Sequence, residues 1–271
     1  MFPYPFSYEE RNGMILVIDV GNTNIVLGAY EEETLVGNWR ITTLSNRTAD
    51  ETGLLICSLF SYSHMDIKKV ESVIISSVVP NIMYSLTNGI RKHLHIEPMI
   101  VGVGMKTGIN LKMENPKEMG ADRIVNLVAT KEIYGGPAIV VDYSTATVFD
   151  VVGEKGEFIT GITAPGLQVC ADALYQKAAQ LPKIEIKKPK SIIAKNTVSS
   201  IQAGIVIGHI GETIYILQQL KKKLQYKNIK VIATGGMARI IDEKGEIFDI
   251  IDPVLTLKGL RILYEKNKSG K

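Results

Sequence analysis

Two acidic residues stand where a short apolar run meets a tight, polar turn, and both could do chemistry on a phosphate. Asp19 lies near the end of Met14–Val20 (MILVIDV) and is followed by Gly21, Asn22, Thr23 and Asn24. Asp142 ends a second run, AIVVD, and is followed by Ser144, Thr145 and Thr147. Phosphoryl transfer needs little covalent help: it needs positioning, a cation to neutralise charge, and a base or orienting group for the attacking oxygen. A turn of small residues can offer backbone N–H groups and a hydroxyl to phosphate oxygens, while Asp19 holds magnesium, in this reading through water. Thr234, Gly235 and Gly236, after a third apolar run, form a further loop that a ligand could approach closely, at the strand end where α/β proteins bind ligands.

The elements that must position these groups follow from periodicity. Continuous apolar runs of this length bounded by turn residues read as buried strands, and a spacing of three and four reads as a helix. Strands are expected at 14–20, 25–30, 34–41, 70–79, 138–141, 148–152, 158–163 and 231–233, with Pro80 closing the fourth. Helices are expected at 48–65, 81–94, 120–134, 166–181, 197–224 and 256–266. Among these 120–134 is the clearest: Ala121, Ile124, Val125, Val128, Ala129 and Ile133 keep helical spacing until Gly135, Gly136 and Pro137 stop it. ILVIDVGNTNIVLGAY and AIVVDYSTATVFDVVG then read as two copies of one strand–acid–turn–strand unit, roughly one domain length apart. The simpler explanation, two α/β strands that both happen to end in Asp, leaves the shared turn and the immediate hairpin unexplained. The sequence thus divides into an extension over 1–13, a first domain over 14–131 and a second over 132–271, each pointing its acid at a common cleft.

Other nucleotide signatures are missing. VGVGMKTG, at 101–108, only approximates a Walker A loop, since Met105 breaks the Gly-Lys-Thr order and no strong helix follows. No G-x-S-x-G occurs, and no G-x-G-x-x-G opens a helix.

The ordered series DVGNTN (Asp19 to Asn24), GADR (Gly120 to Arg123), D-x-x-TAT (Asp142 to Thr147), APG (Ala164 to Gly166), KNT (Lys195 to Thr197) and TGG (Thr234 to Gly236) runs through nearly all of residues 14–266. It resembles the type III pantothenate kinases, within the acetate and sugar kinase/Hsp70/actin superfamily. DVGNTN and TGG alone would indicate only the superfamily; GADR followed by KNT points to the family. The resemblance implies an α/β fold of two duplicated ribonuclease H-like domains, the actin-like ATPase fold, facing a central cleft. It implies ATP-dependent phosphorylation of pantothenate to 4'-phosphopantothenate, the first step of coenzyme A synthesis. ATP phosphates would meet Asp19, Val20, Gly21, Asn22, Thr23, Asn24, Ile25 and Val26, with Thr145 on the opposite wall. Gly120, Ala121, Asp122 and Arg123 would contact pantothenate, with Asp122 as the base toward its hydroxyl. Asp142 would help hold a monovalent cation, potassium or ammonium. Thr197 would reach pantothenate from the neighbouring subunit of a homodimer.

The residue chemistry is compatible with these roles and also with plainer ones. Arg123 suits a carboxylate or phosphate, or a surface ion pair. Asp122 sits in a first helical turn, where the dipole favours its ionised form, and could be no more than a helix-terminal acid. Thr197 could be the N-cap of its long helix. Gly204, Gly208 and Gly211 permit close helix packing, against a partner or within the chain. Three positions depart from the family: Ser144 replaces a glycine, Val148 a threonine, and Met113 stands where many relatives carry a tyrosine that touches pantothenate. A non-catalytic nucleotide-binding relative and a kinase of another small hydroxy acid are therefore the rival readings.

Composition bounds the partners. Lys and Arg total 31 against 28 Asp and Glu, a net charge of +3, which gives no footprint for nucleic acid or anionic membrane. The basic clusters at Lys187, Lys188 and Lys190 and at Lys221, Lys222 and Lys223 read as solvated surface. Two cysteines, Cys57 and Cys170, make no disulfide framework and read as small buried apolar groups. No apolar run of about 18 residues is seen and the first 13 residues lack a secretory pattern, so the expected location is cytoplasmic.

Overall fold

The structure is a computed structural model, and it describes residues 13–268. The N-terminal extension, apart from Gly13, lies outside the described residues. The strands are β1 (Met14–Val20), β2 (Asn24–Glu31), β3 (Thr34–Thr42), β4 (Val70–Ser77), β5 (Met99–Ile100), β6 (Asn110–Leu111), β7 (Ala138–Tyr143), β8 (Ala146–Val152), β9 (Glu157–Pro165), β10 (Lys230–Thr234) and β11 (Ile250–Ile251). The α-helices are α1 (Ala49–Tyr62), α2 (Pro80–Leu94), α3 (Ala121–Ala129), α4 (Leu167–Lys177), α5 (Thr197–Leu224), α6 (Ala238–Ile241) and α7 (Leu255–Asn267).

Two sheets carry the duplication. The first has the order β3-β2-β1-β4-β5, and the second β11-β10-β7-β8-β9-β6. With β6 set aside, the second order is the first read from its other edge. Pairing repeats too: β1 and β7 are each antiparallel to the next strand and parallel to the later β4 or β10. The hairpin turns are not identical. Between the paired Val20 and Ile25 lie Gly21 to Asn24, whereas Tyr143 and Thr147 are separated by one residue fewer.

The chain forms two compact units. One holds the described residues up to Lys106, Gly120–Val125 and the residues from Thr256 on; the other holds Thr107–Met119 and Asn126–Leu255. This differs from a single cut at residue 131 because α7 returns to the first unit and Thr107–Met119, whose β6 pairs with β9, goes to the second. There Leu257 lies against Gly28, Gly259 against Val125, and the Tyr264 and Ser72 hydroxyls are 2.6 Å apart. On the opposite face of the first sheet, Leu16, Ile18, Leu27 and Ile75 pack with Ile56, Phe60, Leu86 and Ile90 of α1 and α2.

Several boundaries move for identifiable reasons. Thr48 is the N-cap of α1 in a reciprocal capping box with Glu51, so the helix starts one residue later than the periodicity suggested. Pro80 does not close β4 but opens α2, where its missing N–H costs nothing. The expected helix over 120–134 is α-helical only to Ala129 and continues as a π-helix over Thr130–Tyr134. Cys57 and Cys170 are half-buried, not sealed in a core.

Helix α5 also corrects the expectation on apolar length. Its most apolar 18-residue window has a mean hydropathy of 1.3, enough by length and composition to cross a membrane, and 33% of it is buried. The buried side, with Ile201, Ile205, Val206, Leu217 and Leu220, completes the core of the second unit. His209 on that side has its ring nitrogens 2.8 Å from the Ile205 carbonyl and 3.1 Å from that of Pro165. Gly204, Gly208 and Gly211 lie on the exposed side, and a Cβ at any of them would meet nothing within 4 Å. Packing within the described chain therefore does not explain them.

Candidate active site

In the first unit the site grows from the β1–β2 turn. The Gly21 N–H donates to the Asn24 carbonyl at 3.0 Å, which closes the turn. The Thr43 hydroxyl donates to the Gly21 carbonyl at 2.7 Å, and the Thr43 N–H to that of Thr23 at 3.0 Å. The end of β3 thus fixes the turn from outside and leaves Asn22 and Thr23 exposed. A Cβ on Gly21 would lie 3.1 Å from the Asn24 carbonyl oxygen, so close approach is what favours glycine there. Within the expected 19–26 segment, Val20 and Ile25 bury their side chains in the core, so only their backbone can face a ligand.

Asp19 is an unusual carboxylate. Its Oδ1 is sealed from solvent and has no hydrogen-bond partner among the described residues. Ser76, opposite it in the parallel β1–β4 ladder, is fully buried, and its hydroxyl likewise makes no well-formed hydrogen bond there. Burial, reinforced by the charge of Asp122, pushes the Asp19 carboxyl up to about 7; the Ser76 hydroxyl and the Arg40 charge pull the other way. An orphaned carboxylate oxygen fits a hydrated magnesium ion, which takes oxygen ligands, keeps several waters and binds through one or two carboxylates plus phosphates. Among the described residues, no three His, Cys, Asp or Glu side chains converge on a metal cage, and magnesium held in this way needs none.

Stability should record this burial. Because the folded-state pKa is raised, ligand-free protein gains from Asp19 at low pH, where the carboxyl is neutral in both folded and unfolded chains. That contribution drains away as pH rises from about 4 to about 7, where the folded carboxyl ionises. Asp19→Asn should match wild type in urea midpoint near pH 4 and exceed it at pH 8, by on the order of a few kcal/mol. A difference independent of pH would contradict the raised carboxyl.

Asp122 is the second residue of α3. Its Oδ1 accepts the Arg123 N–H at 2.8 Å, and a Cβ on Gly120 would come within 2.4 Å of that oxygen. A side chain at Gly120 would therefore push the Asp122 carboxylate out of this position. Burial raises the Asp122 carboxyl above the ordinary range, and the bond from Arg123 and its charge only partly offset this. The helix-dipole expectation is corrected accordingly: desolvation outweighs the terminus, and the result is a stronger base. Asp19 and Asp122 lie in the same unit and feel each other's charge.

In the second unit, Asp142 accepts a hydrogen bond from Asn126 Nδ2 at 3.2 Å. Thr145 is exposed at the β7–β8 turn, and its carbonyl accepts the Gly166 N–H at 3.2 Å. A Cβ on Gly166 would lie 2.4 Å from that carbonyl oxygen, which accounts for glycine in the APG segment. Ser144 does not have a positive φ, so this turn tolerates a side chain without strain. Thr197 is not the cap of α5. That role belongs to Asn196, whose Oδ1 accepts the Ser199 N–H at 2.9 Å in a capping box. Thr197 stays exposed beside an open groove of about 850 Å³ that also touches Cys170, Leu174, Gly204 and His209.

Sequence reasoning missed Thr43, Ser76 and Asn126. Asn126 left a trace, as a polar residue one turn after Asp122 on the same helix. Thr43 and Ser76 left none, since only strand pairing brings them to the site.

The sequence profile of the type III pantothenate kinases matches residues 15–219. The chain belongs to this family. The family phosphorylates pantothenate in coenzyme A biosynthesis, and its profile spans every motif except TGG. Solved structures support the fold alone. A Baf family transcriptional activator from Campylobacter jejuni is 16% identical, with a TM-score of 0.55 over 93% of this chain and 98% of that one. The ethanolamine utilization protein EutJ from Carboxydothermus hydrogenoformans is 15% identical, with a TM-score of 0.54 over 97% of this chain and 91% of that one. Two mixed α/β sheets of the actin-like ATPase fold are thus common to this family member and its structural neighbours.

Proposed function

We propose that this chain transfers the γ-phosphoryl group of ATP to the primary hydroxyl of pantothenate, with Asp122 as the general base. The observation that carries this reading is the buried pair of Asp19 and Asp122 in one unit, a base beside an orphaned acid. Asp122 takes the hydroxyl proton as the oxygen attacks the γ-phosphorus; the bond to the β–γ bridging oxygen breaks and ADP leaves. The turn at Gly21, Asn22, Thr23 and Asn24 holds phosphate oxygens, and Thr145 supplies a hydroxyl. Magnesium, when bound, neutralises phosphate charge, with Asp19 as its protein ligand through water. Arg123, with Gly120 and Ala121, receives the pantothenate carboxylate end.

The finer parts of the proposal are a monovalent cation at Asp142, held in place by Asn126, and a homodimer in which Thr197 of one copy reaches pantothenate bound to the other. The uncapped Thr197 hydroxyl and the open glycine side of α5 support the dimer. The metabolic activity of the family supports a cytoplasmic location. ADP release measured with and without pantothenate, in potassium, ammonium and sodium at one ionic strength, tests the reaction and the cation together. Release is expected only with pantothenate, and to be fast in potassium and ammonium but slow in sodium. ATP turnover indifferent to pantothenate would overturn the reaction, and equal rates in the three salts would remove the cation. Light scattering of the assayed sample should give a dimer; a fully active monomer would exclude the shared site.

A further inference from the structure

Strand register sets one more charged residue in the row of Asp19. Asp19 pairs with Val26 across the β1–β2 ladder, and Val26 pairs with Arg40 across β2–β3. Residues directly opposite in a ladder point to the same face. Ile25, Leu27, Trp39 and Ile41 pack on the α1 and α2 side, so Arg40 stands on the face of Asp19. Adjacent strands are about 4.8 Å apart, which puts Arg40 two strands, about 10 Å of backbone, from the acid. The residue between them, Val26, is short enough for a guanidinium to lie across it. The Arg40 side chain is exposed and makes no hydrogen bond or ion pair among the described residues. The Thr43 bonds that fix the phosphate turn come from the same strand end, three residues on.

We propose that Arg40 is a phosphate-binding residue of this site, its guanidinium reaching over Val26 to oxygens of a nucleotide held at the Gly21–Asn24 turn. This rests on the reading of that turn as the phosphate site. Its chemistry is that of a planar, permanently charged fork that matches phosphate geometry, which a lysine does not reproduce. β3 is an edge strand, and a charge there also discourages strand pairing between molecules. That role alone would make any charged or polar residue equivalent.

The test is equilibrium binding of ATP with magnesium, and of adenosine, to wild type, Arg40→Gln, Arg40→Lys and Gly21→Val, with melting temperatures in parallel. Arg40→Gln is expected to weaken ATP about ten- to a hundredfold, as for hydrogen bonds to a charged group, and to leave adenosine unchanged. Arg40→Lys should recover only part of the loss. Gly21→Val, which fills the turn, should also weaken ATP. If Gly21→Val weakens ATP while Arg40→Gln binds as wild type, the assignment of Arg40 falls and the turn stands. If neither variant changes ATP binding, the phosphates lie elsewhere and both readings fall. Equal loss of ATP and adenosine in Arg40→Gln would mark a general structural effect and also reject the proposal.

Discussion

Asp122→Asn should lower kcat by roughly 10²–10⁴ while the protein keeps its fold, the usual size of a general-base contribution. The substitution preserves shape, and the amide oxygen can still accept the Arg123 N–H that now ends at Oδ1. What it removes is the ability to take a proton. Because burial raises the Asp122 carboxyl, its conjugate base is stronger than that of an exposed aspartate. The same change removes one cause of the raised Asp19 carboxyl, so magnesium and ATP binding should hold or improve as turnover collapses. Steady-state kinetics and ATP titration on one preparation separate the two effects. Activity within about threefold of wild type, far short of a general-base loss, would take Asp122 out of the role.

Gly235→Ala should destabilise the second unit by about 3 kcal/mol or more, a loss in the class of strained backbone combined with overpacking. Gly235 has φ of +88°, a conformation that side chains other than glycine adopt at a cost. A Cβ there would lie 2.3 Å from the Tyr143 carbonyl oxygen, and that neighbour is backbone in the middle of a sheet. It cannot swing aside as a lysine tip would. Tyr143 is fully buried, its hydroxyl 2.6 Å from that of Thr213, so displacing its backbone disturbs the core behind it. Urea unfolding should show the loss, and Gly102→Ala is the control. A Cβ at Gly102 meets nothing closer than 4.0 Å and needs no left-handed backbone, so that midpoint should stay near wild type. Comparable midpoints for Gly235→Ala and wild type would mean that the loop relaxes away from β7.

The parts of this molecule that were legible in the sequence are those written into local pattern. β1 matches its apolar run to the residue, and α5 begins and ends where its periodicity does. GADR followed by KNT carried the family. What did not show is whatever depends on pairing between distant segments. Ser76 became a neighbour of Asp19 only through the parallel ladder, and Arg40 only through two consecutive registers. The pull of burial on Asp122 was hidden for the same reason, since a helix-terminal acid looks alike in sequence whether it is solvated or enclosed. The cap of α5 was a different kind of miss: Asn196 and Thr197 are both good caps, and only geometry chose Asn196.

The return of α7 to the first unit sets an order on synthesis. As the chain leaves the ribosome, the second unit has all its segments once Leu255 has emerged. The first unit, although it begins earlier, still lacks the helix that supplies Leu257 beside Gly28 and the Tyr264 contact to Ser72. Until then the sheet face bearing Val17, Gly28 and Tyr30 has no α7 over it, and the turn that follows Asp19 extends from an incomplete layer. The unit that starts first therefore finishes last. A chain cut just after the family-matched segment would forfeit β10 and β11 from one sheet and the covering helix from the other.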